Sequence, residues 1–327
     1  MDIDIEALLK LKNNASSVIN GGNSKIYKIN YKSKNFCLKD YSNRIDGIKR
    51  LQKEFNSLKK LSKLNSRIFA NPIQYSDKHQ VAIYEWLEGY RPELNENTIY
   101  LIIRVIQELN DISKKTSLND FEMATDYILT LDDVKNQIKD RYLKIVNQNI
   151  FYLEYFYVKI SNIIEQVFRS GTIESEPILI LSVSDLGPHN LLWDDANKQI
   201  HCVDLEFFGW DDAHKLFLDT LIHPKLNWEI ETLIKFVDQF FIVYNLNISR
   251  LCQLFNFIVL KWGLIITERS IRESELLGGK TITNNTLKLA NKYLSASCIN
   301  VSNLNDIIRV TLNLKSNYQQ KEFFEQT

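Results

Sequence analysis

Ser182-Val183-Ser184-Asp185-Leu186-Gly187-Pro188-His189-Asn190 follows an apolar run, Ile178-Leu179-Ile180-Leu181, whose unbroken hydrophobicity predicts a buried strand. A second short strand is expected around His201-Cys202-Val203, running into Asp204-Leu205-Glu206. Asp185 and Asn190 lie five positions apart, and Asp204 comes nineteen after Asp185. An acid and an amide on one loop, with another acid at the end of the next strand, can converge on one point. That donor set suits phosphoryl transfer from a nucleotide. One carboxylate accepts a hydroxyl proton, while an amide and a carboxylate oxygen hold Mg²⁺. Asp and Asn are also ordinary turn residues beside strand ends, so either group alone carries little weight.

Taken together, the segment resembles the catalytic loop and metal-binding strand of the aminoglycoside phosphotransferase and choline kinase group, within the protein-kinase-like fold. That group carries a pattern like H-G-D-x-x-x-x-N, then I-D-F-E-x-x-G-W. Here it stands as Val183-Ser184-Asp185-Leu186-Gly187-Pro188-His189-Asn190, then Val203-Asp204-Leu205-Glu206-Phe207-Phe208-Gly209-Trp210. The resemblance implies Asp185 as the catalytic base and Asn190 and Asp204 as metal ligands. It puts Asp219 where the group has an aspartate that braces the catalytic loop. Val183 stands where a His is usual; that His mostly packs and hydrogen-bonds, so its replacement removes no reacting group. A bacterial branch reading S-x-S-D-x-G-x-H-N fits Ser182 to Asn190. Two motifs in order, with Gly209-Trp210 at the group's spacing, outweigh the turn reading.

Upstream, Asn20-Gly21-Gly22-Asn23-Ser24 is a turn signal, since Gly and Asn tolerate positive φ. Tyr27, Ile29 and Tyr31 then alternate with Lys28 and Asn30, which is strand periodicity. A turn at 32–35 precedes a second strand, Phe36 to Tyr41. On residues alone this is a hairpin. The resemblance adds a phosphate-covering role for Gly21, Gly22, Asn23 and Ser24, and a phosphate-binding role for Lys39, whose ammonium suits a polyphosphate. Ile48, Leu51, Phe55, Leu58 and Leu61 make 44–64 an amphipathic helix, with Glu54 at the edge of its apolar face. A carboxylate there needs a cation, and Lys39 is the one that the resemblance implies. Val81 to Tyr84 reads as a strand entering Glu85-Trp86-Leu87-Glu88-Gly89. This resembles the inter-lobe hinge, which makes Glu85 and Leu87 candidates for backbone contact with the purine. Trp86 fits packing as well as purine contact.

Beyond the hinge, helical stripes are expected at Ile99–Leu109, Val134–Ile145, Tyr152–Phe168, Leu251–Thr267 and Thr286–Leu294, with Gly278-Gly279 breaking between the last two. Residues 126–140 read as a solvated mixed-charge face. Trp228, Trp262, Glu268, Arg269 and Arg272 are candidates for an acceptor pocket.

The 327 residues suffice for a large core, as one domain or two lobes. Lys+Arg and Asp+Glu are both 40, so no global field points to nucleic acid or a membrane surface. Cys37, Cys202, Cys252 and Cys298 show no metal-binding spacing and fit a reducing cytosol. The start Met1-Asp2-Ile3-Asp4-Ile5-Glu6 lacks the basic opening of a signal peptide. The apolar stretch Phe257–Ile266, interrupted by Lys261, is read as too short to span a bilayer.

The expectation is an α+β, two-lobed protein-kinase-like fold, with a nucleotide-binding lobe at 1–88 and a catalytic and acceptor-binding lobe at 89–327. It implies a cytoplasmic Mg²⁺-dependent kinase moving the γ-phosphate of ATP, or GTP, to a small-molecule hydroxyl. The acceptor expected is neutral or anionic and sugar-like. From Lys261 to Thr327 the chain carries nine Lys/Arg against six Asp/Glu, +3 by difference, which disfavours an aminoglycoside or choline-type cation. A protein kinase is disfavoured because D-F-G and A-P-E are absent. A nucleotide-binding pseudokinase has only Val183 in its favour. Oligomeric state stays open.

Overall fold

The computed structural model describes residues 4–13, 17–20, 24–92, 96–148, 154–276 and 284–315. The chain divides into two units. One comprises residues 1–125, 181–210 and 324–327, and the other residues 126–180 and 211–323.

The first unit opens with helix α1 (Ile5–Asn13) and five strands: β1 (Ser17–Asn20), β2 (Lys25–Tyr31), β3 (Lys34–Asp40), β4 (Pro72–Ser76) and β5 (Val81–Glu85). They form one antiparallel sheet in the order β1-β2-β3-β5-β4, which puts β3 at its centre. Period-two alternation splits β3 between two faces. Phe36 and Leu38 join Leu8, Ile29, Val81 and Ile83 in a core under α1. Lys39, opposite Ala82 on β5, has the other parity.

Helix α2 (Gly47–Lys63) connects β3 to β4. Leu51, Phe55, Leu58 and Leu61 are buried, as their spacing predicts, but Ile48 is 40% exposed while Glu54 is only 3% exposed. The apolar stripe thus lies around Glu54 rather than beside it. Helix α3 (Glu96–Lys114) buries Ile99, Ile102, Ile103, Ile106 and Leu109. Strands β6 (Leu179–Ser182) and β9 (Gly209–Asp212) pair, as do β7 (Leu191–Asp194) and β8 (Gln199–Cys202).

Two glycines hold close approaches. Gly89, at φ +141°, ends the segment after β5, and a Cβ there would lie 2.9 Å from the Trp193 carbonyl. Tyr90 and Trp193 exchange backbone hydrogen bonds beside it, at 3.1 and 2.8 Å. At Gly209, φ +159°, a Cβ would lie 2.4 Å from the Glu122 carbonyl oxygen. Trp210 donates to that same oxygen, and its carbonyl accepts from Ala124. The glycine of the G-W pair is therefore set by backbone crowding.

The second unit is helical: α4 (Leu131–Val146), α5 (Glu154–Ser170), α6 (Ala213–Leu221), α7 (Ile230–Tyr244), α8 (Ile248–Leu276), α9 (Asn284–Ala296) and α10 (Leu304–Lys315). A capping box of Thr130 and Asp133 starts α4. Helix α8 is the central element, packing on α4, α6, α9 and α10. Its segment Ile248–Arg272 is long and apolar enough to cross a membrane by length and composition. That corrects the expectation that no stretch reaches this length. Within the fold, 67% of its apolar window is buried.

Candidate functional site

The loop after β6 is built from tight local hydrogen bonds. Ser184 sits in the left-handed region at φ +63°, with its N–H donated to Ser182 Oγ at 3.0 Å. Asp185 N–H donates to the Val183 carbonyl at 2.7 Å. Val183 is 1% exposed. Pro188–Asn190 make one 3₁₀ turn, closed by the Asn190 N–H on Gly187 O at 2.9 Å. Asn190 Nδ2 donates to the Asp185 carbonyl at 3.0 Å. The Asn190 carbonyl accepts from Val203 N–H at 2.9 Å, so this loop and the approach to Asp204 are held together. His189 Nε2 lies 3.2 Å from Asp185 Oδ2.

Asp204 occupies the left-handed region at φ +67°, a conformation that a non-glycine residue keeps only where its surroundings impose it. Its Oδ1 lies 2.5 Å from Lys39 Nζ, and the same ammonium lies 2.7 Å from Glu54 Oε2. Glu54 also accepts from Tyr41 OH at 2.7 Å and from Leu205 N–H at 3.2 Å. Burial pushes the Lys39 ammonium down. Asp204 and Glu54 outweigh that and hold its pKa well above the ordinary lysine value. The lysine is thus a permanent cation. Cys37, two residues earlier on β3, has its thiol pushed up to about 12 by burial, which disfavours the thiolate.

Past Asp204 the chain makes further bonds to α2. Arg50, one turn before Glu54, donates from Nη1 to Glu206 Oε1 at 2.6 Å, and its guanidinium lies 4.8 Å from the Phe207 ring centroid. The Glu206 carboxyl is pushed up to about 7 by burial and by the neighbouring Asp204.

Of the residues singled out in the sequence, Lys39, Glu54 and Asp204 meet directly, while Asp185 and Asn190 share one turn. Gly21, Gly22 and Asn23 lie outside the described residues, as does the pair Gly278-Gly279; Ser24 is buried. Glu85 is exposed, with its N–H on Asn71 O at 2.9 Å and its carboxylate accepting from Asn71 Nδ2 at 2.7 Å. Leu87 is half-buried. Lys28 lies 4.5 Å from the Trp86 ring centroid, so one face of that indole already carries a cation. A recess of about 450 Å³ at this segment is lined by Phe36, Ile73, Glu85 and Trp86 among others, and by none of Lys39, Asp185, Asn190 or Asp204.

In the second unit, Asp219 accepts from Lys261 and Trp262 on α8 at 2.8 and 2.9 Å, and lies 3.1 Å from Lys215. Lys215 also pairs with Asp211 at 2.7 Å, and Asp126 lies 3.5 Å from Lys215 and 3.6 Å from Lys261. Asp126 thus departs from the solvated face expected for 126–140. Trp228 is structural: it donates to the Leu221 carbonyl and packs on Phe236. Glu268 faces Arg141 at 3.7 Å, and Arg272 is exposed.

Arg50, Glu206, Tyr41 and His189 were not assigned roles from the sequence. The available signals were helical spacing, which places Arg50 four residues before Glu54, and the places of His189 and Glu206 within the quoted motifs. Hard oxygen donors from an amide and a carboxylate, backed by a fixed lysine, fit Mg²⁺ with a nucleotide polyphosphate.

No protein-family model and no curated protein matches this chain. Solved structures do. A gentamicin complex of the phosphotransferase APH(2″)-IIa is 14% identical, with 94% of this chain and 99% of that chain covered and a TM-score of 0.61. Amicoumacin kinase, in complex with AMP-PNP and Ca²⁺, is 12% identical over 90% and 93%, with a TM-score of 0.57. The choline kinase LicA of Streptococcus pneumoniae is 14% identical over 89% and 99%, with a TM-score of 0.56. At such identities the likeness concerns backbone architecture, and it extends over almost all of each chain. The protein therefore has the protein-kinase-like fold of the aminoglycoside phosphotransferase and choline kinase group.

Proposed function

We propose that the protein is a small-molecule kinase that uses Mg²⁺ and ATP, or GTP, to phosphorylate an alcohol. The observation that carries this reading is the chain of contacts Glu54–Lys39–Asp204, with the Asp185–Asn190 turn hydrogen-bonded to Val203, the residue before Asp204. Structural neighbours captured with AMP-PNP and Ca²⁺, or with AMP, support a nucleotide and a divalent cation.

Asp185 would orient the acceptor hydroxyl and take its proton. The hydroxyl oxygen forms the new bond to the γ-phosphorus as the bond from that phosphorus to the β–γ bridging oxygen breaks, leaving the nucleoside diphosphate. Asn190 Oδ1 and the Asp204 carboxylate would hold Mg²⁺, which when bound neutralises phosphate charge. Lys39 would pair with the phosphates, kept cationic by its two carboxylates. Glu85 and Leu87 would offer backbone groups to the purine, and Gly21 to Ser24 would cover the phosphates. The functional lobes in this reading are 1–88 and 89–327, and the compartment is the cytoplasm.

The acceptor is proposed to be neutral or anionic and sugar-like. In the second unit Asp126, Asp211 and Asp219 face Lys215 and Lys261, Asp212 faces Arg250, and Glu268 faces Arg141. Carboxylates spent in this way do not provide the field that a polycation needs. The alternative, an aminoglycoside or choline-type amine, draws support from the neighbours named for gentamicin and choline.

The test is Mg²⁺-dependent γ-phosphate transfer to a panel of sugars, amino alcohols and aminoglycosides, ranked by kcat/KM. Transfer to neutral sugars above the polyamines is expected. Preference for the polyamines reverses the acceptor class alone. Nucleotide binding with no turnover on any acceptor would make the protein a pseudokinase scaffold.

A further inference from the structure

Resting on the kinase reading above, we propose that Arg50 and Glu206 are a positioning pair. They clamp α2 to the segment after Asp204, so that Lys39, Glu54 and Asp204 are set as one unit.

Four contacts converge on five residues of chain. Asp204 takes the left-handed conformation. Leu205 gives its N–H to Glu54 Oε1 at 3.2 Å. Glu206, whose side chain is 0% exposed, receives Arg50 Nη1 at 2.6 Å. Phe207 lies under the same guanidinium, and Phe208 N–H closes the turn on Leu205 O at 3.1 Å. Arg50 and Glu54, four apart on α2, therefore grip Glu206 and Leu205 at once. Asp46 holds the guanidinium from its other side, accepting from Arg50 Nε at 2.6 Å. A left-handed aspartate persists only when its neighbours over-determine it, and these bonds do so.

Glu206 Oε1 is turned to α2 and held by Arg50, and a carboxylate this deeply buried needs a cation or hydrogen-bond donors. Arg50 fits because its planar fork serves Asp46 and Glu206 together while its face stacks on Phe207; a lysine offers a single point charge. Displacing α2 would pull on the loop, and releasing the loop would free α2. The lysine's salt bridge and the metal-ligating carboxylate would thereby be ready together or not at all.

The experiment uses the full chain with Arg50→Met, Arg50→Lys and Glu206→Gln. Four quantities are read: amide exchange across 203–208 without nucleotide, Mg-nucleotide affinity by calorimetry, kcat, and the acceptor KM. Arg50→Met should speed exchange at Leu205 and Phe208 by about tenfold or more. It should weaken Mg-nucleotide binding and lower kcat by about 10–100-fold, the usual effect of losing a residue that orients a metal ligand, with acceptor KM within about threefold. Arg50→Lys should recover part of each. Glu206→Gln, which keeps shape and an acceptor, should shift exchange in the same direction by less, and it decides the matter if Arg50→Met does not fold. Unchanged exchange at Leu205 and Phe208 in a folded variant overturns the clamp. Faster exchange in a protein that binds no nucleotide sustains the clamp and overturns the kinase reading instead.

Discussion

Lys39 is held by two acids, with its side chain 4% exposed and that of Glu54 5% exposed. Such a pair adds little net stability when complete, but breaking it strands a buried charge. Lys39→Met should therefore lower unfolding stability by about 3–5 kcal/mol. Glu54→Gln, which keeps an acceptor for Tyr41 OH, should cost less. Denaturant unfolding measures both, and a loss under about 1 kcal/mol in Lys39→Met would show that Glu54 and Asp204 are solvated after all. At this scale the sequence was legible where chemistry is local. Asp185 and Asn190, singled out together, share one turn, and Asp204 meets Lys39. Arg50 carries no local signal of its partner, because Glu206 lies 156 residues away. Asp126 read as surface for the same reason, since Lys215 and Lys261 come far downstream.

The elements follow a similar division. Strand β5 reads as a short apolar run, buried from Val81 to Tyr84, and strands β2 and β3 and helices α2, α3, α4, α5, α8 and α9 carry clear periodicity. Strand β4 does not: Pro72, Ile73 and Gln74 are all half-buried, and no alternation survives. Helix α6 is buried on every side, from Ala213 to Leu221, so it has no polar face to mark its period. The end of α10 carries a further consequence. Lys315 is buried and donates to the carbonyls of Ile222 and His223, the first of which also accepts from Tyr293 OH. Burial, with Lys292 nearby, pushes its amine down to about 7 from an ordinary 10.5. Between those values the unfolded chain binds a proton that the folded chain lacks, so stability rises with pH over this window. Below about pH 7 both states hold the proton and the gain is absent. The slope is about 1.4 kcal/mol per pH unit. Unfolding of wild type and Lys315→Met at pH 7.5 and 9.5 should differ by about 2–3 kcal/mol more at the higher pH. A constant difference would mean that Lys315 stays charged in the fold.

At the scale of the whole molecule, the fold was legible because one motif pair fixes the topology of what precedes and follows it. The acceptor was not legible, because a pocket's specificity depends on charges brought together from distant helices. The pairing of Asp126, Asp211 and Asp219 with two buried lysines is the kind of arrangement that composition alone, +3 over 261–327, only hints at. The proposed reaction depends on Asp185 as the group that takes the acceptor proton. The most direct test is single-turnover transfer of the γ-phosphate with saturating Mg-ATP, comparing wild type with Asp185→Asn, alongside calorimetry of Mg-nucleotide binding to both. Asparagine keeps the shape and removes the proton acceptor. The rate of transfer should fall by about 10²–10⁴-fold while nucleotide affinity stays close to wild type. Transfer at near the wild-type rate in Asp185→Asn would contradict the assignment.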